Sequence, residues 1–180
     1  MFIEVILPLA LNKLFTYHVP EALRPEVAVG KRVLVPFKSQ KLYAALVRKI
    51  TDKEPTAYEA KDIMEVLDEV SIITNKQFQL WEWIAEYYLC SIGEVMAAAL
   101  PAAFRLESES AITLHPDFNK DYSQLTDREY MIAEALELQP SLTVKEVSKI
   151  IGLKSVFKVL KTLAEKNVIL LNEEIRKKTK

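Results

Sequence analysis

Apolar residues open the chain in short alternating runs. Residues 2–9 are β-branched and apolar and end at a proline, Pro8, a pattern that predicts an edge or terminal strand. In residues 14–19 the alternation puts Phe15, Tyr17 and Val19 on one face and Leu14, Thr16 and His18 on the other, a short strand before Pro20. Residues 21–29 read as a loop or single turn, and Gly30 marks a tight turn. Residues 32–37 (RVLVPF) and 42–50 (LYAALVRKI) are strand-like, and the polar stretch 38–41 between them can close a hairpin. Residues 61–67 (KDIMEVL) add a further strand. Short strands at this spacing, with few helical signals between them, predict a small antiparallel β-barrel, OB-like, or a sandwich.

The period then changes to that of helices. Thr74 is placed as an N-cap, and Phe78, Trp81, Ile84, Ala85 and Tyr88 form one apolar stripe at helical spacing. Such a stripe is either a base-stacking platform or, the more usual case, core. A second short helix covers residues 92–100 and stops at Pro101. Residues 105–124 are polar and read as a linker, although Ala111-Ile112-Thr113-Leu114 within it has strand character. Beyond it lie two capping boxes, Thr126 with Glu129 and Thr143 with Glu146. Gly152 is placed to end the second helix of this region, residues 153–166 form its third, and residues 168–171 form a strand. Three helices and a strand, with a tight turn between the last two helices, predict a winged helix-turn-helix. The expected organisation is two domains: a barrel with two C-terminal helices over 1–104, a linker over 105–124 and a winged helix over 125–180.

Composition narrows the chemistry. Half of the residues are hydrophobic and 27% are charged, enough for a packed core. Only Gly30, Gly93 and Gly152 are glycine, so neither a phosphate-cradling GxxxxGK[ST] loop nor GxGxxG can form. His18 and His115 lie outside any ligand-spaced cluster, and no nucleophile elbow is visible; no catalytic and no metal site is expected. The single cysteine, Cys90, excludes an internal disulfide and reads as a small buried residue. The run MFIEVILPLAL has no basic leader and does not read as a signal peptide, and no apolar stretch approaches the roughly 20 residues of a membrane span. A cytoplasmic setting is expected. The tail Arg176-Lys177-Lys178-Thr179-Lys180 has no terminating element, which predicts a piece of a longer chain.

The net charge of −1 hides segregation. Residues 27–51 carry six bases (Lys31, Arg32, Lys38, Lys41, Arg48, Lys49) and no acid, whereas residues 52–69 carry seven acids. A basic strand pair built on Lys31, Arg32, Lys41 and Arg48 is either a phosphate-tracking surface or a solvated barrel face. On the third helix of the back domain, Lys154, Lys158 and Lys161 share one face, with Val156, Val159, Leu160 and Leu163 turned inward. That face suits sequence-independent DNA contact, protein docking or plain solvation; lysines alone do not read bases.

Four strings taken together carry a resemblance: LPLALNKLFTYHVP, VGKRVLVPF, KDIMEVLDE and WIAEYYLCSIGEVMAAALP. In order and spacing, residues 6–101 resemble the N-terminal region of the primosomal protein N′ (PriA) family of replication-restart helicases. The resemblance implies a first domain that binds the free 3′ end of a nascent leading strand in a pocket selective for a 3′ hydroxyl, and a winged helix that approaches branched duplex DNA. It also implies a longer ATP-dependent 3′–5′ helicase with bound zinc. That enzyme would act in the bacterial nucleoid with primosome and single-stranded DNA-binding proteins and help reload the replicative helicase. The helicase lobes and the zinc region are not among these residues.

Residue by residue, Phe15 matches the family's aromatic, which can stack on a terminal base for about 1–3 kcal/mol. Lys61 matches its lysine, which can neutralise a phosphate. Tyr17 matches the aromatic two residues on. The family's Asp is Thr16 here, and the glycine that commonly follows VPF is Lys38. The reading from another class is a protein-docking adaptor in a replication or transcription complex.

Overall fold

In the computed structural model the residues described are 1–38, 41–56, 58–101, 104–105, 110–153 and 156–172. The chain divides into two compact units, Met1–Arg105 and Leu106–Lys180.

The first unit is built on a sheet of β1 (Phe2–Ile6), β2 (Phe15–His18), β3 (Arg32–Phe37), β4 (Lys41–Thr51) and β5 (Glu65–Val66). The strand order is β2-β1-β4-β3-β5, antiparallel throughout. β4 is the long central strand, and its alternation serves two cores. On one face Ala45 and Val47 pack with Ile3, Val5, Tyr17 and Val33. On the other, Leu46 packs with Ile6 beneath Phe78, Trp81 and Met96 of the helices. Each apolar side chain buried here contributes roughly 1.5–3 kcal/mol.

The ladder is a five-stranded antiparallel sheet, and closure into the expected OB-like barrel is not part of it. The free edge of β2 meets the segment before β5 only through one parallel bridge, His18 to Asp62, with backbone bonds His18 to Lys61 and Ile63 to His18. The strand expected over 61–67 shrinks accordingly to Glu65–Val66, because residues 61–63 bond to β2 and residues 64–67 bond to β3.

α1 (Asn75–Tyr87) starts at the capping box Thr74–Gln77, and α2 (Ile92–Ala99) at Ser91–Glu94. Phe78 and Trp81 are buried, and Ile84 and Ala85 pack against the same cluster, so most of the stripe is core. Tyr88 departs from it and is exposed, beyond the helix end. Cys90 is half-buried rather than buried. A Cβ on Gly93 would lie 2.0 Å from the Leu9 carbonyl oxygen and 2.4 Å from that of Leu7. Only glycine lets α2 dock so closely on the segment that leads from β1 into β2.

The second unit runs β6 (Ala111–Leu114), α3 (Asp127–Leu138), β7 (Leu142–Thr143), α4 (Val144–Ile151), α5 (Phe157–Glu165) and β8 (Ile169–Asn172). Its sheet order is β7-β6-β8. The segment expected as a linker therefore supplies the central strand: β6 pairs on both sides, and Ile112 is fully buried. Both capping boxes are formed, and Gly152 ends α4 at φ 69°, the left-handed conformation expected of it. α5 begins at Phe157, later than the helix expected from residue 153.

Candidate nucleic-acid interface

β2 is an edge strand with β1 on one side. The Thr16 N–H points to the free side and donates to Tyr58 Oη at 2.8 Å. Along this edge lies a cleft of about 250 Å3, lined by Phe15, Thr16, Tyr17, Lys38 and Lys61 with Lys13, Pro36, Phe37, Tyr58 and Glu59. All five residues singled out from the sequence for one pocket are thus in one place.

The strands dictate the division of labour. Alternation sends Phe15 and Tyr17 to the same face, and Tyr17 forms the floor. It is buried, and its hydroxyl donates to the Pro36 carbonyl at 3.0 Å, tying β2 to the end of β3. Burial, and then the neighbouring Tyr58, push the Tyr17 phenol up to about 12, so it stays a neutral donor. Phe15 is half-buried and meets Phe37 edge-to-face at 4.9 Å; Phe37 meets Tyr43 in the same way at 6.0 Å.

Cations ring this aromatic floor. Lys13 Nζ lies 5.0 Å from the Phe15 ring centroid and Lys38 Nζ 6.0 Å from that of Phe37. Lys61 Nζ donates to the Lys38 carbonyl at 3.3 Å. Lys38 holds φ 54°, a left-handed conformation that favours glycine. Flat rings for a base and ammonium groups for phosphate are what single-stranded nucleic acid requires.

Two members of the basic strand pair, Arg32 and Arg48, are a correction. Arg32 is buried and forms a two-pronged ion pair with Asp68 at 2.9 and 2.6 Å; its guanidinium also stacks on the Phe104 ring at 4.5 Å. Arg48 binds Glu82 at 2.8 Å and covers the Phe78 ring. The pleat explains both: Arg32 is the register partner of Leu46, and Arg48 is two residues on, so both arginines point to the helix-covered face. Lys31 Nζ donates to the Glu26 carbonyl, Lys41 is half-buried opposite Phe37, and none of the four lines the cleft.

Comparison with known proteins agrees with this geometry. Residues 4–101, more than half of the chain, match the PriA 3′DNA-binding domain (3′BD). The chain belongs to that family. Residues 109–174 match a winged helix domain. The replication restart protein PriA of Haemophilus influenzae is 34% identical over 110 residues, 61% of this chain and 15% of the relative. Its counterpart in Chlamydia muridarum is 26% identical over 173 residues, 94% of this chain and 21% of the relative. The Bacillus subtilis protein is 24% identical over 116 residues, 63% of this chain and 14% of the relative. The chain spans no more than about a fifth of the length of these PriA relatives.

In the winged-helix unit, Lys158 and Lys161 stay exposed while Leu160 and Leu163 are buried, the division expected of that helix. Lys161 also lies 3.8 Å from Glu165, and Lys154 falls outside the described residues. A groove of about 450 Å3 runs between the start of α3 and α5, with Arg128, Lys158 and Thr162 on its walls. Sequence reasoning missed Lys13, Phe37, Tyr58 and Glu59 in the cleft. Lys13 had a signal, a cation two residues before Phe15, and Phe37 closes the VPF string. Tyr58 and Glu59 sit in an acid-rich stretch with no periodic pattern.

Among the described residues no group of three or more His, Cys, Asp or Glu could hold a metal, and no glycine-rich loop could hold a nucleotide. No described helix is long and apolar enough to cross a membrane.

Proposed function

We propose that the Met1–Arg105 unit holds the 3′ end of a DNA strand in the cleft beside β2. The Leu106–Lys180 unit adds sequence-independent contacts to nearby duplex through Lys158 and Lys161. In this reading the chain is the DNA-recognising part of a replication-restart helicase. It selects stalled or branched forks with an exposed 3′ end, for primosome assembly and reloading of the replicative helicase in the bacterial cytoplasm, at the nucleoid. The chain itself carries out no chemistry. ATP and zinc belong to the full-length helicase, and among the described residues no set fits either.

The observation that carries the proposal is the convergence of Phe15, Tyr17, Lys38 and Lys61 on one aromatic-floored, lysine-rimmed cleft. A terminal base stacks on Phe15, and Lys13, Lys38 and Lys61 face the last phosphates. Fluorescence anisotropy on forked DNA with a free 3′ hydroxyl tests it. Phe15→Ala is expected to weaken binding about tenfold or more, and Lys61→Ala less. Unchanged binding in both variants removes the site.

One observation favours the second reading, a protein-docking adaptor. Trp83 and Tyr87 stack at 5.2 Å on the outer side of α1, Tyr87 meets Tyr88 at 4.9 Å, and all three are exposed, as is Leu89. Glu82 and Glu86 stand beside them and disfavour DNA there. The two readings separate by salt: DNA binding through lysines falls steeply as salt rises, and apolar docking does not.

A further inference from the structure

Among the described residues Glu59 is the one carboxylate that lines the cleft, beside three lysines and four aromatic rings. We infer that Glu59 reads the chemistry of the strand terminus, accepting a hydrogen bond from a 3′ hydroxyl and repelling a 3′ phosphate. The inference rests on the 3′-end reading above.

Three lysines around an aromatic floor attract phosphate wherever it sits on the strand. By themselves they would favour a phosphate-terminated end, which carries more negative charge than a hydroxyl end. Discrimination in the other direction needs a group that repels the unwanted terminus as well as one that attracts the right one. A carboxylate does both. It accepts a charge-assisted hydrogen bond from a hydroxyl, and it opposes a phosphate placed against it.

Thr16 is poorly placed for this task. Its N–H is already engaged by Tyr58 Oη, and strand alternation turns its side chain to the face opposite Phe15 and Tyr17. A neutral hydroxyl also has no charge with which to reject phosphate. Glu59, by contrast, is exposed and makes no hydrogen bond or ion pair among the described residues. Its nearest acidic neighbour in sequence, Asp62, is held by His18 at 2.6 Å. Lys61, two residues from Glu59, is tied back to the Lys38 carbonyl, so cation and carboxylate reach the cleft from one short segment.

The test uses the 180-residue protein and three forked DNAs that differ only at the 3′ terminus: hydroxyl, phosphate, or hydrogen (a 2′,3′-dideoxy end). The wild type is expected to prefer hydroxyl over both others. Glu59→Gln keeps the shape and a weaker acceptor but removes the charge. It should lower the hydroxyl-to-phosphate affinity ratio about tenfold, the size of one charge-assisted hydrogen bond, with the phosphate end bound more tightly than by wild type. A ratio unchanged by Glu59→Gln, or a wild type that does not prefer hydroxyl, overturns the role of Glu59. Phe15→Ala and Lys61→Ala report on the site itself and should weaken all three DNAs together. If they do not, the 3′-end reading fails, whatever Glu59→Gln shows.

Discussion

Lys61 Nζ reaches across the mouth of the cleft to the backbone carbonyl of Lys38, 3.3 Å away. One lysine is therefore positioned by the backbone of another, and that backbone is in a left-handed conformation, φ 54°. The contact joins the segment before β5 to the end of β3, so the two cations act from a fixed frame rather than from two free loops.

For Lys61→Ala, DNA binding is expected to weaken across all sequences, and the slope of log affinity against log salt to become shallower by about one. A salt titration by anisotropy measures the slope. An unchanged slope would mean that Lys61 does not face phosphate.

Lys38→Gly is expected to move stability and binding in opposite directions. A left-handed L-residue costs of order 1–2 kcal/mol, while glycine's extra freedom in the unfolded chain takes part of the relief back. The net gain should be about 0.5–1 kcal/mol, read as a higher urea midpoint at unchanged slope. DNA affinity should fall, because the cation beside Phe37 is gone. Loss of stability would show that the side chain holds the turn.

Arg32 and Asp68 are expected to behave as structural residues. Arg32→Ala strands a buried carboxylate and should cost about 3–5 kcal/mol, measured by chemical denaturation. DNA affinity per folded molecule should stay near wild type, since neither residue lines the cleft. Replacing both with apolar residues of similar volume should recover much of the loss. Weakened DNA binding by a fully folded Arg32 variant would restore the residue to the interface.

The same pair shows where the sequence was legible. The alternation of residues 14–19 placed Phe15 and Tyr17 on one face, and the structure keeps them there because edge strand β2 has one core face to satisfy. Capping boxes are local and were visible for the same reason: the bond runs between residues three apart. A count of bases along β3 and β4 misled because it ignores the pleat, which sends Arg32 and Arg48 toward the helices. Over 105–124 the strand character of Ala111–Leu114 was visible, but its central place in a sheet was not, because its partners lie far along the chain. Tyr58 and Glu59 were invisible because an irregular segment has no period, and only the folded edge of β2 gives them a neighbour.

In the winged-helix unit, acid is expected to act through Glu129. The residue is buried at the start of α3. Burial works to raise its pKa, but hydrogen bonds from Lys166 at 2.8 Å and from the Thr126 N–H and hydroxyl outweigh it and hold the carboxyl below the usual range. A depressed folded-state value contributes stability that is fully present above the unfolded value, about 4.3 for glutamate, and is lost as pH falls through the folded value. Melting temperature should therefore be flat from neutral pH to about pH 5 and fall below it. Glu129→Gln keeps the cap geometry but loses the charge that Lys166 faces, and should cost about 1–2 kcal/mol at neutral pH and flatten the acid limb. Thermal melts of wild type and variant between about pH 3 and 7 separate the cases. Parallel acid limbs would assign the loss to the other depressed carboxylates, Glu94, Asp121, Glu137 and Glu146, instead.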